Sequence, residues 1–246
     1  MTGRRPIRSP SCADSRRSHP PQRRLIVWPG PNDTVFALDR AGRRQWTSRV
    51  DGQPLSPALA PDGTIVVGDR SGSLRGLRPP SGTGQPRTLW RLDLGSTSYA
   101  SPAIAPDGET SLSWPDGTRV LWRHRLKILT YSSPSATRDG LIYIGDHLGF
   151  VTALDAASGK AVSRVLGLGP KPGRRSVGVW TQPIVDRDHS VYFGTRSGHV
   201  YGFDARGQRL FDLDVGVTID SYPALAADGT LLVGTEGGEL LAIAGG

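Results

Sequence analysis

Cysteine and asparagine are almost absent from this 246-residue chain, which holds one of each, Cys12 and Asn32. A single cysteine cannot close a disulfide within the chain, so cysteine usage does not indicate a redox compartment. With one asparagine, and no loop in which Glu, Asn and Asp gather, the sequence offers no set of hard oxygen ligands for calcium. We therefore predict no metal site.

Motifs typical of enzymes and of membrane spans are missing as well. No run approaches the 18 apolar residues expected of a membrane-spanning helix. Neither the nucleophile pattern G-x-S-x-G nor the phosphate-binding pattern G-x-x-x-x-G-K-[ST] occurs. The histidines lack metal-ligand spacing, and three are interpreted as solvated residues of turns or strand starts: His147, His189 and His199. We predict no catalytic residues.

Positive charge is concentrated at the start of the chain. The net charge of +8 comes from 30 Lys and Arg against 22 Asp and Glu. Residues 1–24 hold seven Arg and one acid, Asp14, so the other 222 residues carry only +2. We predict a disordered Arg/Ser/Pro-rich tail over 1–24 and one domain over 25–246. A nucleic-acid-binding domain should be basic on its folded surface, so we predict no nucleic-acid partner; a basic arm for nucleic acid or anionic lipid remains the alternative for the tail.

The sequence as given shows no export signal. The Arg pairs of the tail are not followed by a hydrophobic stretch of the length that a signal peptide requires. A cytoplasmic location is therefore the default expectation.

The rest of the chain repeats one pattern. Each unit opens with a small or polar residue before a proline, and apolar residues and a turn follow. The later strands of the unit are also separated by turns. The marker prolines lie 45, 32, 49 and 40 residues apart: Pro57, Pro102, Pro134, Pro183 and Pro223. A period of this size, built from short apolar runs, indicates an array of small sheets.

Each full repeat contains four short strands. Asp-Gly and similar pairs, such as Asp62-Gly63 and Asp228-Gly229, predict two-residue hairpin turns between the first and second strands. The fourth strand carries an aromatic residue: Trp46, Trp90, Trp122 or Phe211. Four antiparallel strands make one blade of a β-propeller, and blades bury their faces only by stacking on neighbours. The predicted fold is therefore an all-β propeller of four-stranded antiparallel blades.

Two segments resemble the pyrroloquinoline-quinone-type (PQQ-like) propeller repeat. They are Ala-Leu-Asp-Ala-Ala-Ser-Gly-Lys at 153–160 and Ala-Leu-Asp-Arg-Ala-Gly-Arg-Arg-Gln-Trp at 37–46. The resemblance covers about residues 25–243 and implies that the terminal Trp packs between neighbouring blades. Quinoprotein dehydrogenases, BamB-type outer-membrane assembly scaffolds and sensor domains of bacterial kinases share this repeat. Family members are often in the cell envelope or secreted.

The resemblance also implies what a dehydrogenase would need. Such enzymes typically hold PQQ beneath a disulfide between adjacent cysteines, beside a calcium site. The present chain has no cysteine pair. We therefore expect no cofactor, and PQQ and calcium belong only to the alternative interpretation.

Not every repeat is intact. The first unit, residues 25–50, lacks the Ser-Pro strand, and the last ends near Gly246 without a fourth strand. The unit that opens at Pro102 is about ten residues short of its neighbours. The expected architecture is thus five to six blades, with incomplete units at both ends and one shortened blade.

One set of residues stands out as a candidate binding site. The position three residues before each marker proline holds Tyr99, Tyr131, Trp180 or Asp220, except in one unit, where it is Pro54. Because blades begin at the axis, these residues should lie at one mouth of the central channel. Arg70 and Arg196, on the second turns of their units, should share that face. Aromatic residues beside arginine are typical of recognition surfaces; the alternative is that the aromatics only plug the channel or pack between blades.

These observations favour a non-catalytic scaffold that binds a protein or a small ligand, an expectation by analogy with the fold. One alternative is a relative of the PQQ-dependent dehydrogenases that has kept or lost its cofactor site. Another is a truncated propeller fragment.

Overall fold

The computed structural model describes residues 25–82, 84–95, 98–104, 120–126, 130–166 and 177–244. In these ranges every regular element is a β-strand. The strands form five antiparallel sheets, each built in chain order. They are β1 (Ile26–Gly30), β2 (Thr34–Leu38) and β3 (Arg44–Arg49); β4 (Ala58–Leu59), β5 (Ile65–Gly68), β6 (Ser73–Arg78) and β7 (Arg87–Asp93); β8 (Ser135–Ala136), β9 (Leu141–Gly145), β10 (Phe150–Asp155) and β11 (Ala161–Leu166); β12 (Ile184–Val185), β13 (Val191–Gly194), β14 (His199–Phe203) and β15 (Arg209–Asp214); and β16 (Ala224–Leu225), β17 (Leu231–Gly234) and β18 (Leu240–Ile243).

These sheets are the blades of a five-bladed β-propeller, which confirms the predicted fold class. Three blades have four strands. The first (β1–β3) and the last (β16–β18) have three strands in the part of the chain that the structure describes, as the sequence predicts. Of the five to six blades expected, five are present within the described ranges.

Two predictions fall mainly on residues outside the described ranges. The tail over 1–24 lies wholly outside them, and so does most of the shortened unit, residues 105–119. The flanking residues 98–104 and 120–126, which are described, form no strand. The prediction that Trp122 lies in a fourth strand is therefore wrong. Its indole Nε1 instead donates to the Ala156 carbonyl at 2.7 Å, and its ring lies over Gly159, on a turn of the following blade.

The turn between the first and second strands differs from the sequence prediction. In the second blade, the Ala60 amide donates to the Thr64 carbonyl at 2.8 Å and the Gly63 amide donates to the Ala60 carbonyl at 2.9 Å. Three residues therefore form the loop, and the two-residue prediction is wrong. Gly63 has a φ of 83°, the left-handed conformation that the last position of such a loop demands. Asp62 stabilises the loop by accepting from the Thr64 amide at 2.9 Å.

The aromatic residues of the fourth strands lie opposite small residues of the third strands. Trp46 pairs with Ala37, Trp90 with Gly76 and Phe211 with Gly202. A methyl group at Gly76 would overlap the indole of Trp90. Trp46 also belongs to a buried cluster that includes Ile65 and Leu77 of the next blade, so it packs between blades as the resemblance implies.

Close contact between neighbouring blades depends on a glycine at the end of the second strand in two blades, Gly145 and Gly194. A methyl group at Gly145 would lie 2.9 Å from the carbonyl oxygen of Val179, in the connector that leads to the next blade. A methyl group at Gly194 would overlap a side-chain carbon of Ile219, in the next connector. Since real Cβ atoms are not found so close to other atoms, only glycine lets the connector pack here. This packing fixes the position of the residues that precede each innermost strand.

Candidate interaction site at the mouth of the propeller

The first strands of the blades converge on the axis of the propeller. The residues before the marker prolines join different blades there: the Ser56 amide donates to Ser101 Oγ at 3.2 Å, and the Ser101 amide donates to Ser133 Oγ at 2.9 Å. The Tyr222 hydroxyl lies 2.8 Å from Ser133 Oγ, although 89 residues separate the two in the chain. The marker positions are therefore axial, and the residues that precede them lie at a mouth of the central channel.

Backbone hydrogen bonds hold the entry of each innermost strand against the second turns of the blades. The Val179 amide donates to the Asp146 carbonyl of the preceding blade at 2.9 Å. The Arg196 amide donates to the Gly178 carbonyl at 3.1 Å. The entry residue Trp180 is thereby fixed between the turn of the preceding blade and that of its own. The next blade repeats the arrangement around Asp220.

Because of this arrangement, entry and turn residues form one continuous row, which we call the mouth belt. Its members follow chain order: Arg70, Tyr99, Tyr131, His147, Trp180, Arg196, Asp220 and Glu236. All six residues predicted from the sequence as a binding site belong to it. The structure thus brings them together, whereas their role in binding stays a prediction.

Aromatic rings form the middle of the mouth belt. The Tyr99 and Tyr131 rings meet edge to face with their centroids 4.7 Å apart. The Tyr131 ring lies 4.6 Å from that of Trp180, which stacks on His147 at 4.9 Å with an interplanar angle of 18°. Tyr99 is 37% exposed, and Tyr131 and Trp180 are half-buried. The rings therefore support one another and still present surface to a partner.

An arginine lies at each end of the aromatic row. The guanidinium carbon of Arg70 is 5.1 Å from the Tyr99 ring centroid, and that of Arg196 is 4.0 Å from the Trp180 centroid. A cation over an aromatic face is attracted by the quadrupole of the ring. These contacts hold the two guanidinium groups against the rings at the ends of the row. Sequence reasoning placed Arg70 and Arg196 on this face but did not predict which ring each would contact.

The end of the belt beyond Trp180 is acidic. Arg196 binds Asp220 at 3.0 Å and lies 3.8 Å from a Glu236 carboxylate oxygen. Burial raises the pKa of Asp220, and hydrogen bonding with Glu236 and its charge add to the effect, while the Arg196 cation opposes it. Two carboxyl groups therefore share one guanidinium.

The prediction that His147 is a solvated residue is wrong. His147 is half-buried against Trp180 and Tyr131 rather than solvated. Burial lowers the pKa of His147, with Arg196 acting in the same direction and Asp146 opposing. The prediction also fails for His199, which is 5% exposed and lies 2.7 Å from Asp212 through Nδ1. The sequence places His147 on a turn, but it does not show that the entry segment of the next blade covers this side chain.

Three polar atoms of the belt are buried without a hydrogen-bond partner among the described residues: His147 Nε2, Trp180 Nε1 and Asp220 Oδ1. Buried polar groups are normally satisfied, so unpaired ones call for an explanation. Two of these atoms are ring nitrogens of the stacked pair, and the third belongs to the acidic end. A bound polar group or water would satisfy them.

Pro54 occupies the corresponding position in the second blade but is not an aromatic member of the row. It forms a backbone bridge with Asp69 and is buried. The belt therefore begins at Arg70 and Tyr99, in the contact between the second blade and the unit that follows.

Two other kinds of feature, metal sites and membrane-spanning helices, are not found among the described residues. No group of three or more His, Cys, Asp or Glu side chains is arranged to hold a metal ion within these ranges. None of the described segments is a helix long and apolar enough to cross a membrane.

Comparison with known proteins supports the propeller assignment. The crystal structure of BamB from Moraxella catarrhalis superposes with a TM-score of 0.56 at 21% sequence identity, covering 89% of this chain and 72% of that one. The WD40 β-propeller domain of Doa1 superposes with a TM-score of 0.68 at 12% identity, covering 89% of this chain and 74% of that domain. At these identities the likeness shows the fold alone. No curated protein sequence matches the chain.

Family membership rests on the sequence of the repeats. The model of the family described as outer membrane protein assembly factor BamB matches residues 31–244, nearly the whole propeller. This confirms the resemblance carried by the repeats at 37–46 and 153–160. The chain belongs to this family of PQQ-like, BamB-like propellers.

Proposed function

We propose that this propeller is a non-catalytic interaction scaffold that binds a segment of another polypeptide across the mouth belt. The observation that carries the proposal is the row of Tyr99, Tyr131 and Trp180 with an arginine at each end. Tyr, Trp and Arg are the residues in which binding energy at protein interfaces is concentrated. The scaffold role requires neither PQQ nor calcium.

The exposure of residues in the mouth belt favours a role in binding a partner over a role in packing the blades together. The rings contact one another and the arginines, yet Tyr99 is 37% exposed and Arg70 is exposed. At the axis, hydrogen bonds link a separate set of residues, Ser101, Ser133 and Tyr222. A rigid aromatic row beside the channel is preorganised, which lowers the entropic cost of binding.

The proposal can be tested with displayed random peptides selected on the full-length protein. Peptides that bind should lose about 30-fold or more in affinity with Trp180→Ala, as expected when a central aromatic contributes about 2 kcal/mol. Trp28→Ala is the matched control, because Trp28 is 59% exposed on β1 and lies outside the belt. It should leave affinity unchanged.

Two results would contradict the proposal. One is a selection that yields no specific peptide. The other is a set of peptides whose affinity falls equally in both variants, or only in Trp28→Ala. Thermal unfolding of both variants, measured alongside, separates a lost binding surface from a lost fold.

A further inference from the structure

We infer that the mouth belt selects an extended peptide with an acidic residue at one end, a basic residue at the other and apolar residues between them. This inference rests on the proposed function and specifies the partner chemistry of the same site. It follows from the uneven charge of the belt along its length.

The Arg70 end of the belt is cationic. Arg70 is exposed and lies over Tyr99, and no carboxylate of the described residues is within 4 Å of its guanidinium. The aromatic ring holds the guanidinium in place without neutralising it. A guanidinium presents its donors in a fork that matches a carboxylate. An acidic side chain of a partner is the complementary group at this end.

The opposite end is anionic. Asp220 and Glu236 share the single cation of Arg196, whose other contact is the Trp180 ring. Glu236 is exposed, so an ammonium or guanidinium group from a partner can reach it and pair with a carboxyl that shares its cation with Asp220. A basic side chain is therefore the complementary group here.

The aromatic faces determine what lies between the charges. Four successive contacts of 4.0–5.1 Å link Arg70, Tyr99, Tyr131, Trp180 and Arg196. An extended chain advances about 3.3 Å per residue, so a segment of roughly six residues spans the row. Proline and other apolar residues pack on aromatic surfaces, and a proline-rich segment is already extended before it binds.

Single-stranded nucleic acid also stacks on aromatic rows. Its phosphates would meet Asp220 and Glu236 at one end of the belt, which the charges disfavour. A peptide of mixed charge fits both ends. We therefore expect an oligonucleotide to bind less tightly than a mixed-charge peptide, and it is included in the test as a probe.

Isothermal titration calorimetry at low salt, with capped hexapeptides and the full-length protein, tests the inference. The mixed-charge probes are Asp-(Pro)4-Lys and Lys-(Pro)4-Asp, and the single-sign probes are Asp-(Pro)4-Asp and Lys-(Pro)4-Lys. One mixed-charge order should bind at least about 10-fold more tightly than both single-sign probes. Equal affinities, or tighter binding of an oligothymidine of eight nucleotides, would overturn the inference.

Charge reversal identifies the two ends. Arg70→Glu should weaken the favoured mixed-charge probe by at least about 10-fold and strengthen Lys-(Pro)4-Lys. Glu236→Lys, also at an exposed position, should instead strengthen Asp-(Pro)4-Asp. Arg40→Glu is the matched control, because Arg40 is exposed on the turn after β2, outside the belt, and should change neither probe.

Failure of this inference is distinguishable from failure of the proposed function. If displayed peptides bind in a manner sensitive to Trp180→Ala but show no charge preference, the interaction site stands and the charge selection is wrong. If Arg70→Glu and Arg40→Glu act alike on the mixed-charge probe, the assigned cationic end is wrong.

Discussion

Arg196 lies over Trp180, with its guanidinium carbon 4.0 Å from the ring centroid, and its Nη1 binds Asp220 at 3.0 Å. The two residues come from an entry segment and a turn of the same blade, and Asp220 comes from the next. A single side chain thus couples an aromatic surface to a carboxylate pair. This coupling makes the mouth belt one unit rather than a set of separate side chains.

Trp180→Ala should weaken partner binding much more than it weakens the fold. Trp180 is half-buried and contacts Tyr131, His147 and Arg196, so its removal should lower the free energy of unfolding by about 1–3 kcal/mol. A fully buried aromatic would cost about 3–5 kcal/mol. Urea unfolding of the variant gives the value. A loss in the higher range, with binding to selected peptides intact, would mean that Trp180 only packs between blades.

Asp220 should make stability decline as the pH rises. The raised pKa of Asp220 means that the folded state holds this proton more tightly than the unfolded chain. Its stabilising contribution is complete below the ordinary value of 3.8 and is lost as the pH rises through the raised folded value. The free energy of unfolding of the wild type minus that of Asp220→Asn should therefore fall as the pH rises from the ordinary value of 3.8 to the raised folded value.

Asp228→Asn is the control for this titration. The Thr230 amide lowers the pKa of Asp228, so its contribution is present above the ordinary value and lost as the pH falls. The corresponding difference for Asp228→Asn should change in the opposite direction. Urea unfolding at several pH values measures both, and a difference for Asp220→Asn that is flat or rises with pH would contradict the assignment.

Gly145→Ala should destabilise the propeller at the junction of two blades. The added methyl would lie 2.9 Å from the Val179 carbonyl oxygen, so the connector must shift, at a cost of about 1–3 kcal/mol. Gly82→Ala is the matched control, since a methyl there meets no atom within 4 Å. It should leave the melting temperature unchanged or slightly raised. Equal effects of the two substitutions would show that the connector tolerates a side chain at 145.

Asp146→Ala should be strongly destabilising because the buried carboxylate has three donors. Its oxygens accept from the amides of Leu148 and Phe150, at 2.9 and 3.1 Å, and from Arg164 at 2.8 Å. Loss of all three should cost about 2–4 kcal/mol, and Asp146→Asn, which keeps one acceptor, about half as much. Chemical denaturation measures both. Asp139→Ala, at an exposed carboxylate, should stay within about 0.5 kcal/mol; an equal loss there would contradict the role of the buried turn.

The repeat made the architecture predictable. The marker prolines and the turns gave the strands, their order and the three-stranded first and last blades, because these follow from local patterns. The same pattern placed Tyr99, Tyr131 and Trp180 at equivalent positions, three residues before the marker prolines. Equivalent positions in a propeller lie around one axis, so their contact follows from the symmetry of the fold.

Contacts between blades were not predictable in the same way. His147 lies on a turn in the sequence, and only the entry segment of the next blade covers it. The requirement for glycine at 145 likewise comes from Val179, in another blade. The number of residues in the turn could not be predicted from the sequence either. Asp-Gly fits both a two-residue loop and the three-residue loop that the structure contains.

Photocrosslinking in cells tests most directly whether the mouth belt is the interaction surface. Benzoylphenylalanine would replace Tyr99 in one variant and Trp28 in another, both being exposed aromatics of this chain. The account predicts polypeptide adducts at position 99 that disappear when Trp180→Ala is added, and none at position 28. Equal adducts at both positions, adducts at 28 alone, or adducts at 99 that persist with Trp180→Ala would contradict it.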